Sequence, residues 1–345
     1  MHQDHKKPIT PERSRHYTDN FPESSIYTKT GVVVLGAFVC CALWGSAFPC
    51  VKIGYDLFGI HSDAIMTQIL FAGMRFALAG VLVILFQSLI QRKPLLPGKT
   101  SLHKILWLSM MQTVGQYILF YIGLAHTTGV KASVIEGLNV FVAILVSAVL
   151  FRQERLSGYK IIGCLIGFAG VVLVNFTGSG LDMGLTFVGE GFIFLSTVAY
   201  AFSSVFIKRF SKTENPVCLS GYQFLAGGMI MMLVGWIVGG RINGYRPGAV
   251  LMLFYLACIS AVAYTLWGIL LKYNPVSRVT VYGFMNPVFG VMLSALLLNE
   301  RGGLGGKCVL ALLLVCAGIY IVNRNQKESG NFGKGSKDKC HEDVR

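Results

Sequence analysis

The hydrophobic positions of this chain fall into ten long runs separated by short polar clusters. The runs cover 31–54, 64–91, 102–124, 129–151, 158–176, 185–207, 216–239, 248–271, 276–298 and 306–323. Each is near the ~20 mostly apolar residues that a helix needs to cross a bilayer. The pattern therefore predicts an all-α integral membrane protein of ten transmembrane helices. The softest boundary separates the third and fourth runs, around His126–Gly129.

Later stretches repeat earlier ones. Residues 169–175 read AGVVLVN and residues 317–323 read AGIYIVN, an offset of 148. SAVLFRQER at 147–155 resembles SALLLNER at 294–301, with Glu154 and Glu300 offset by 146. ALWGSAFPCVK (42–52) pairs more weakly with AYAFSSVFIKR (199–209), at an offset of 157. The runs divide five and five, with one copy of each repeat in each half. Because five is odd, the second copy enters the membrane from the opposite side. The expectation is two inverted five-helix repeats, 31–176 and 177–323, around a central cavity, an arrangement associated with alternating access. Residues 1–30 and 324–345 read as flexible cytoplasmic tails. A cleaved leader is not expected, because the first apolar run is long and lacks a small-residue cleavage site.

Composition agrees with the pattern. Apolar residues make up 54% of the chain, charged residues 13%, and the mean hydropathy is +0.61. Soluble domains carry about 25% charged residues. The loops between runs leave no room for a soluble catalytic domain. The net charge of +14 comes from Lys and Arg in small loops and tails, which argues against a nucleic-acid-binding face. With the N-terminus inside, 23 Lys and Arg lie on the cytoplasmic side and four (Arg241, Arg246, Arg301 and Lys307) face out. This asymmetry places both termini in the cytoplasm.

Nine cysteines lie mostly within apolar runs, where Cys behaves as a small hydrophobe. No CxxC or Cys/His ligand spacing occurs, so neither metal nor cofactor is expected, and no catalytic cluster is apparent. Asn175-Phe176-Thr177 fits a glycosylation sequon but reads as chance at a helix end. Glycines four apart, Gly163 with Gly167 and Gly235 with Gly239, fit close helix packing.

Ionisable groups at membrane depth normally face the protein interior or a cavity. Arg75 lies mid-way along the second span, Glu136 lies in the fourth, and Lys131 begins the fourth. Lys131 points roughly 140° away from Glu136 on a helix of 3.6 residues per turn. An interhelical Arg75–Glu136 ion pair is one reading, and a direct role for Glu136 in substrate or proton binding is the other. Ser133 and Asn139 share the face of Glu136. Polar and aromatic residues recur at helical spacing elsewhere: Gln112, Gln116 and Phe120 in the third span, Ser196, Tyr200 and Ser203 in the sixth, Ser260, Tyr264 and Trp267 in the eighth. Asn286-Pro287 interrupts the ninth span; the fourth has Asn139-Val140-Phe141 there without a proline, which confines the expected break to one half. Glu154-Arg155 and Glu300-Arg301 read as boundary charges.

In order and spacing, Trp44-Gly45-Ser46-Ala47-Phe48, Arg75-Phe76, Gly123-Leu124-Ala125 with Thr127 to Ser133, Glu154-Arg155-Leu156-Ser157, Asn286-Pro287-Val288-Phe289 and Glu300 resemble the drug/metabolite transporter superfamily, in its EamA branch. The resemblance covers residues 31–323. It implies a ten-helix fold with a cavity between the halves and movement of small solutes, amino acids and drug-like compounds among them, across the plasma membrane, often outward. The expected function is export by alternating access, with an uptake permease or a channel as alternatives. The candidate cavity residues are Trp44, Gln116, Glu136, Asn139, Tyr200, Tyr264, Trp267 and Asn286. Glu136 is the candidate for coupling to a proton or other ion. A membrane-embedded enzyme would need convergent nucleophiles or metal ligands, and the sequence offers none.

Overall fold

The computed structural model describes residues 26–98, 101–146, 158–175, 186–210, 213–273, 281–299, 305–318 and 320–321. Its helices are α1 (Thr30–Leu57), α2 (Ile65–Gln91), α3 (Leu102–Ala125), α4 (Gly129–Glu136), α5 (Asn139–Leu145), α6 (Gly158–Asn175), α7 (Phe192–Phe210), α8 (Pro216–Ile237), α9 (Ala249–Tyr273), α10 (Met285–Leu297) and α11 (Gly306–Gly318). No strand occurs among the described residues. α4 and α5 together form the fourth span, and every other span is one helix, giving ten. α1, α2, α3, α8 and the first part of α9 are each long and apolar enough to cross a membrane alone. Their exposed large side chains, such as Leu85, Phe86 and Leu89 on α2, are those of a lipid-facing surface. Glu154, Arg155, Thr177, Glu300, Arg301 and the tail beyond 324 lie outside the described residues.

The helix contacts carry the symmetry of an inverted repeat. The first span packs on the eighth and ninth, α1 on α9 and α10; the sixth packs on the third and fourth, α7 on α3, α4 and α5. A shift of five spans converts one set into the other. Two pairs map onto themselves, α2 with α8 and α4 with α10. Both are antiparallel. Along the first, Gly80 approaches Leu225, Gly228 approaches Ala77, and Gly235 approaches Leu70. Along the second, Gly129 approaches Ser294, Ser133 approaches Gly290, and Gly137 approaches Pro287. An antiparallel pair related by the repeat requires the second copy to be inverted.

Lipid gives apolar helices little reason to associate, so close backbone approach must supply the packing. A Cβ added at Gly228 would meet the Ala77 backbone, and one at Gly73 would meet the Met232 nitrogen. Gly235 belongs to this seam as its spacing implied, whereas Gly239 has φ +103 and ends the turn after α8.

Local chemistry sets the helix ends. Thr128 caps α4, its hydroxyl accepting from Lys131 N at 3.1 Å, and so fixes the boundary that was softest in sequence. Asn215 caps α8, with Pro216 in the first turn. Ser101, just before α3, and Lys104 of α3 hold Glu214 beside that cap, at 2.5 and 2.6 Å. Lys104, then Ser101, keep the Glu214 carboxyl below its ordinary range. That tie is therefore complete above the usual carboxylate pKa and is lost as pH falls through the lowered value.

One expectation is corrected. The interruption is not confined to the ninth span. The fourth breaks at Gly137–Leu138, between α4 and α5, and the ninth changes from a 3-10 turn (Val281–Phe284) to α10 at Met285. At an offset of 147 these are the same place. Pro287 sits in the first turn of α10, where a missing N–H costs nothing, rather than breaking a continuous helix. In the fourth span Gly137 does the work. Its amide bonds both Ser133 and Val134 carbonyls, and a Cβ there would press on Val315 and Pro287.

Replacing Gly228 by Leu should destabilise the α2–α8 seam by about 1–3 kcal/mol, the usual cost of overpacking. Gly31→Leu, at a position with open space around it, should leave thermal unfolding in detergent unchanged. Equal melting of the two variants would show that the seam does not limit stability.

Candidate functional site

The aromatic positions singled out in sequence meet at mid-depth. Trp44 of α1 packs edge-on against Tyr264 (5.7 Å) and Trp267 (5.2 Å) of α9. Tyr264 also meets Phe224 of α8 at 4.9 Å. Its hydroxyl hydrogen-bonds Tyr117 of α3, and Tyr200 of α7 lies nearby. Tyr117 lies over Phe76 of α2 at 4.1 Å. The six helices of this ring form three symmetry-related pairs, α1 with α7, α2 with α8 and α3 with α9.

Arg75 reaches the same region from α2. It is 3% exposed. Its Nε donates to the Leu256 carbonyl (3.1 Å), Nη1 to the Tyr121 hydroxyl (2.7 Å) and Nη2 to Ser260 Oγ (3.3 Å). The guanidinium also lies 5.0 Å from the Phe76 ring centre. Every one of these partners is uncharged. The Arg75–Glu136 ion pair is therefore not formed. The reason is geometric: the fork of Arg75 points at α9 and at Tyr121, and Glu136 faces α7.

Glu136 is half-buried at the end of α4, next to the helix break. Asn139 and Ser196 are its hydrogen-bonding neighbours. Ser196 is fully buried, and its hydroxyl is 2.7 Å from the Ile193 carbonyl. Tyr117 lies within electrostatic reach of both Arg75 and Glu136. Asn286 is brought to the level of Glu136 by the contact between Pro287 and Gly137. Gln116, 4% exposed, belongs to a π-helical stretch of α3, Ser109–Gln116. That stretch breaks the expected i, i+4 stripe. Gln112 turns to α8, accepting from Gln223 at 2.6 Å, while Gln116 stays beside Tyr117. Such π segments are frequent at functional sites.

Three acceptor oxygens in this region, Gln116 Oε1, Glu136 Oε2 and Asn286 Oδ1, are buried and receive no hydrogen bond. Gln68, Gln223 and Ser294 carry such atoms elsewhere. A buried acceptor without a donor is costly, so each of these is a natural place for a ligand's N–H group.

The third intramembrane charge, Lys131, is elsewhere. It pairs with Glu190 at 3.3 Å, at the end of the bundle where α1 finishes. Sequence reasoning did not single out Glu190. The signal was present, since Glu190 is an acid inside the predicted 185–207 span. Tyr121 was missed as well, because nothing in the third span's spacing shows that its hydroxyl would receive Arg75. Among the described residues no group of His, Cys, Asp and Glu is placed to hold a metal ion.

A ten-span bundle built from two inverted repeats, with two opposite charges left unpaired beside an aromatic ring at its centre, has the architecture of a membrane transporter. The profile of the EamA-like transporter family matches residues 31–176 and again 187–324, and the chain belongs to that family. Among similar proteins, the "Probable amino-acid metabolite efflux pump" of Escherichia coli (strain K12) is 28% identical over 310 residues, covering 85% of this chain and 94% of that one. The "Uncharacterized inner membrane transporter YedA" of the same organism is 24% identical over 291 residues, covering 82% and 86%. One solved crystal structure shares the fold with a TM-score of 0.59 at 19% identity, over 84% of this chain and 96% of that one.

Tyr121→Phe removes the hydroxyl that accepts from a buried cation, which should cost about 1.5–3 kcal/mol. Tyr222→Phe removes a hydroxyl that donates to the Leu95 carbonyl at 2.8 Å, and should cost about 0.5–1.5 kcal/mol. Unfolding in detergent compares them. A smaller effect for Tyr121 would mean that Arg75 does not depend on it.

Proposed function

We propose that this chain exports small metabolites carrying both an ammonium and a carboxylate, amino acids and their relatives among them, by alternating access. One observation carries the substrate class: the buried Arg75 and the half-buried Glu136, whose Oε2 is buried without a donor, are charges of opposite sign that share a region without pairing. A zwitterion satisfies both. Its ammonium supplies donors to Glu136, Asn286 and Gln116. Its carboxylate faces the Tyr117 and Tyr264 hydroxyls, under the positive potential of Arg75. Trp44, Trp267 and Tyr200 enclose the remainder of the solute, as apolar and aromatic walls do in small-molecule sites. Asn139 orients Glu136. The efflux pump among the relatives supports both the class and the outward direction.

The membrane in this reading is the plasma membrane, with both termini in the cytoplasm, supported by the 23-to-4 division of Lys and Arg. The end of the bundle where α1 finishes then faces out. The matched breaks at Gly137 and Met285 give each half a joint at the same depth, supporting a rocking motion of two similar units. Glu136 beside one joint is the proton-coupling residue, since carboxylates at membrane depth commonly serve as proton relays.

Proteoliposomes preloaded with an unlabelled amino acid should take up the labelled compound faster than empty ones. Uptake indifferent to the internal pool would indicate a channel and sink the proposal. A panel of zwitterions, cations and anions of equal size should show counterflow strongest for zwitterions; preference for either singly charged set would overturn the class. The coupling idea has its own check. Net transport by Glu136→Gln should lose the pH dependence of the parent, with counterflow weakened but still measurable through Asn286 and Gln116. An unaltered pH profile in that variant would exclude Glu136 as the coupling group.

A further inference from the structure

A second polar assembly closes the bundle at the end where α1 finishes, well away from the aromatic ring. Its centre is Glu190, in the π-helical turn Phe187–Gly191 that leads into α7. The Glu190 side chain is 5% exposed. Oε1 accepts from Thr127 Oγ1 at 2.6 Å and from Lys131 Nζ at 3.3 Å. Oε2 accepts from the Thr186 amide and hydroxyl, both at 2.9 Å. Beside it, Lys52 of α1 donates to the carbonyls of Leu124 and Thr127, at 3.3 and 2.5 Å, and so caps the end of α3.

We infer that Glu190 is the positioning residue that holds this end closed in the transport cycle. The argument has three steps. First, the network joins opposite halves: Thr127, Lys131 and Lys52 come from the first repeat, and Glu190 and Thr186 from the second. Any motion that separates the halves at this end must break it.

Second, it is built to be broken. It lines a cavity of about 370 Å³, with Ser62, His126 and Thr128 on the other walls. Lys131 is 25% exposed. Water entering there can solvate each released group, so opening costs far less than it would for a dry ion pair. Below it the closure is apolar and tightly packed, with Val51, Tyr55, Phe71 and Leu124 buried together. The polar layer is therefore the part that decides when the apolar layer can open.

Third, its acid is not repeated at the equivalent position of the other half. At the offset of 157 that relates the first and sixth spans, Glu190 corresponds to Val33. Val33 is buried in an apolar cluster with Ala37 and Leu270, while Arg278, at the position equivalent to Lys131, lies outside the described residues. Two further ion pairs join the halves among the described residues: the exposed Arg246–Asp56 pair at the same end, and Lys104 with Glu214 at the opposite end, which serves as an internal comparison.

The inference rests on the alternating-access reading above, and its test needs no substrate. Gln116→Cys places a reporter thiol in the central region. A membrane-impermeant maleimide is added to the outer face of sealed cells, and labelling is corrected for the chain that retains Gln116. Glu190→Gln and Lys131→Gln, each added to the reporter, should speed labelling about fivefold, the population shift that follows from removing about 1 kcal/mol from the closed state. Glu190→Asp should return the rate toward the parent. Glu214→Gln should leave it unchanged. Melting in detergent identifies any variant that fails to fold, and the Lys131 variant tests the same pair from its other side. Outer-face labelling unchanged in both Glu190→Gln and Lys131→Gln, or raised equally by Glu214→Gln, overturns the gate while leaving the transporter reading intact. A reporter that reacts from neither face in any variant overturns the central cavity, and the gate with it.

Discussion

Everything in this molecule hangs on how closely α2 and α8 approach. They cross where the two halves meet, and backbone rather than side chain makes the contact: Gly73 against Met232, Gly228 against Ala77, Gly80 against Leu225. In a bilayer such a contact cannot be replaced by a hydrophobic one, because lipid competes equally well for apolar side chains. The close approach also fixes the rotation of α2. With its glycine face turned to α8, the helix directs Arg75 toward α9 and Tyr121, where three neutral acceptors hold it. The position of the central cation is thus a consequence of where the glycines lie.

Much of this was legible in the sequence, because the bilayer reduces folding to a length and a polarity. Ten runs, an odd repeat and the offsets of 146 to 157 lead to an inverted ten-span bundle before any contact is known. The aromatic residues were equally readable: Trp44, Tyr264 and Trp267 sit mid-span, and they meet. Partners were harder. Glu136 and Arg75 are opposite in sign and similar in depth, but pairing depends on the rotation of two helices about their axes, which spacing within each helix does not contain. Lys131 shows the same gap, since its acid lies 59 residues away in a turn that precedes α7. The break in the fourth span went unseen because proline was taken as its marker. Gly137, a residue with no side chain to announce it, produces the same joint as the proline-bearing stretch 147 residues later.

A carrier made of two identical inverted halves would have no reason to prefer facing either side, since its two closed forms would be equal in energy. A preference for facing one side must come from residues that one half has and the other lacks. The joints do not supply it, because Gly137 and Met285 occupy equivalent positions. Glu190 and Val33 do differ. A carboxylate bound to two threonines and a lysine closes one end with directional, water-sensitive bonds, while the equivalent contact at the other end is a close-packed valine. The first kind of closure is specific and reversible on hydration; the second depends on packing alone and yields to whatever rearranges the neighbouring helices. On this account the fold supplies the motion and the symmetry supplies two gates. Under the alternating-access proposal, Glu190 makes those gates unequal and so biases which closed form is populated, while net direction follows the solute gradient and its coupling.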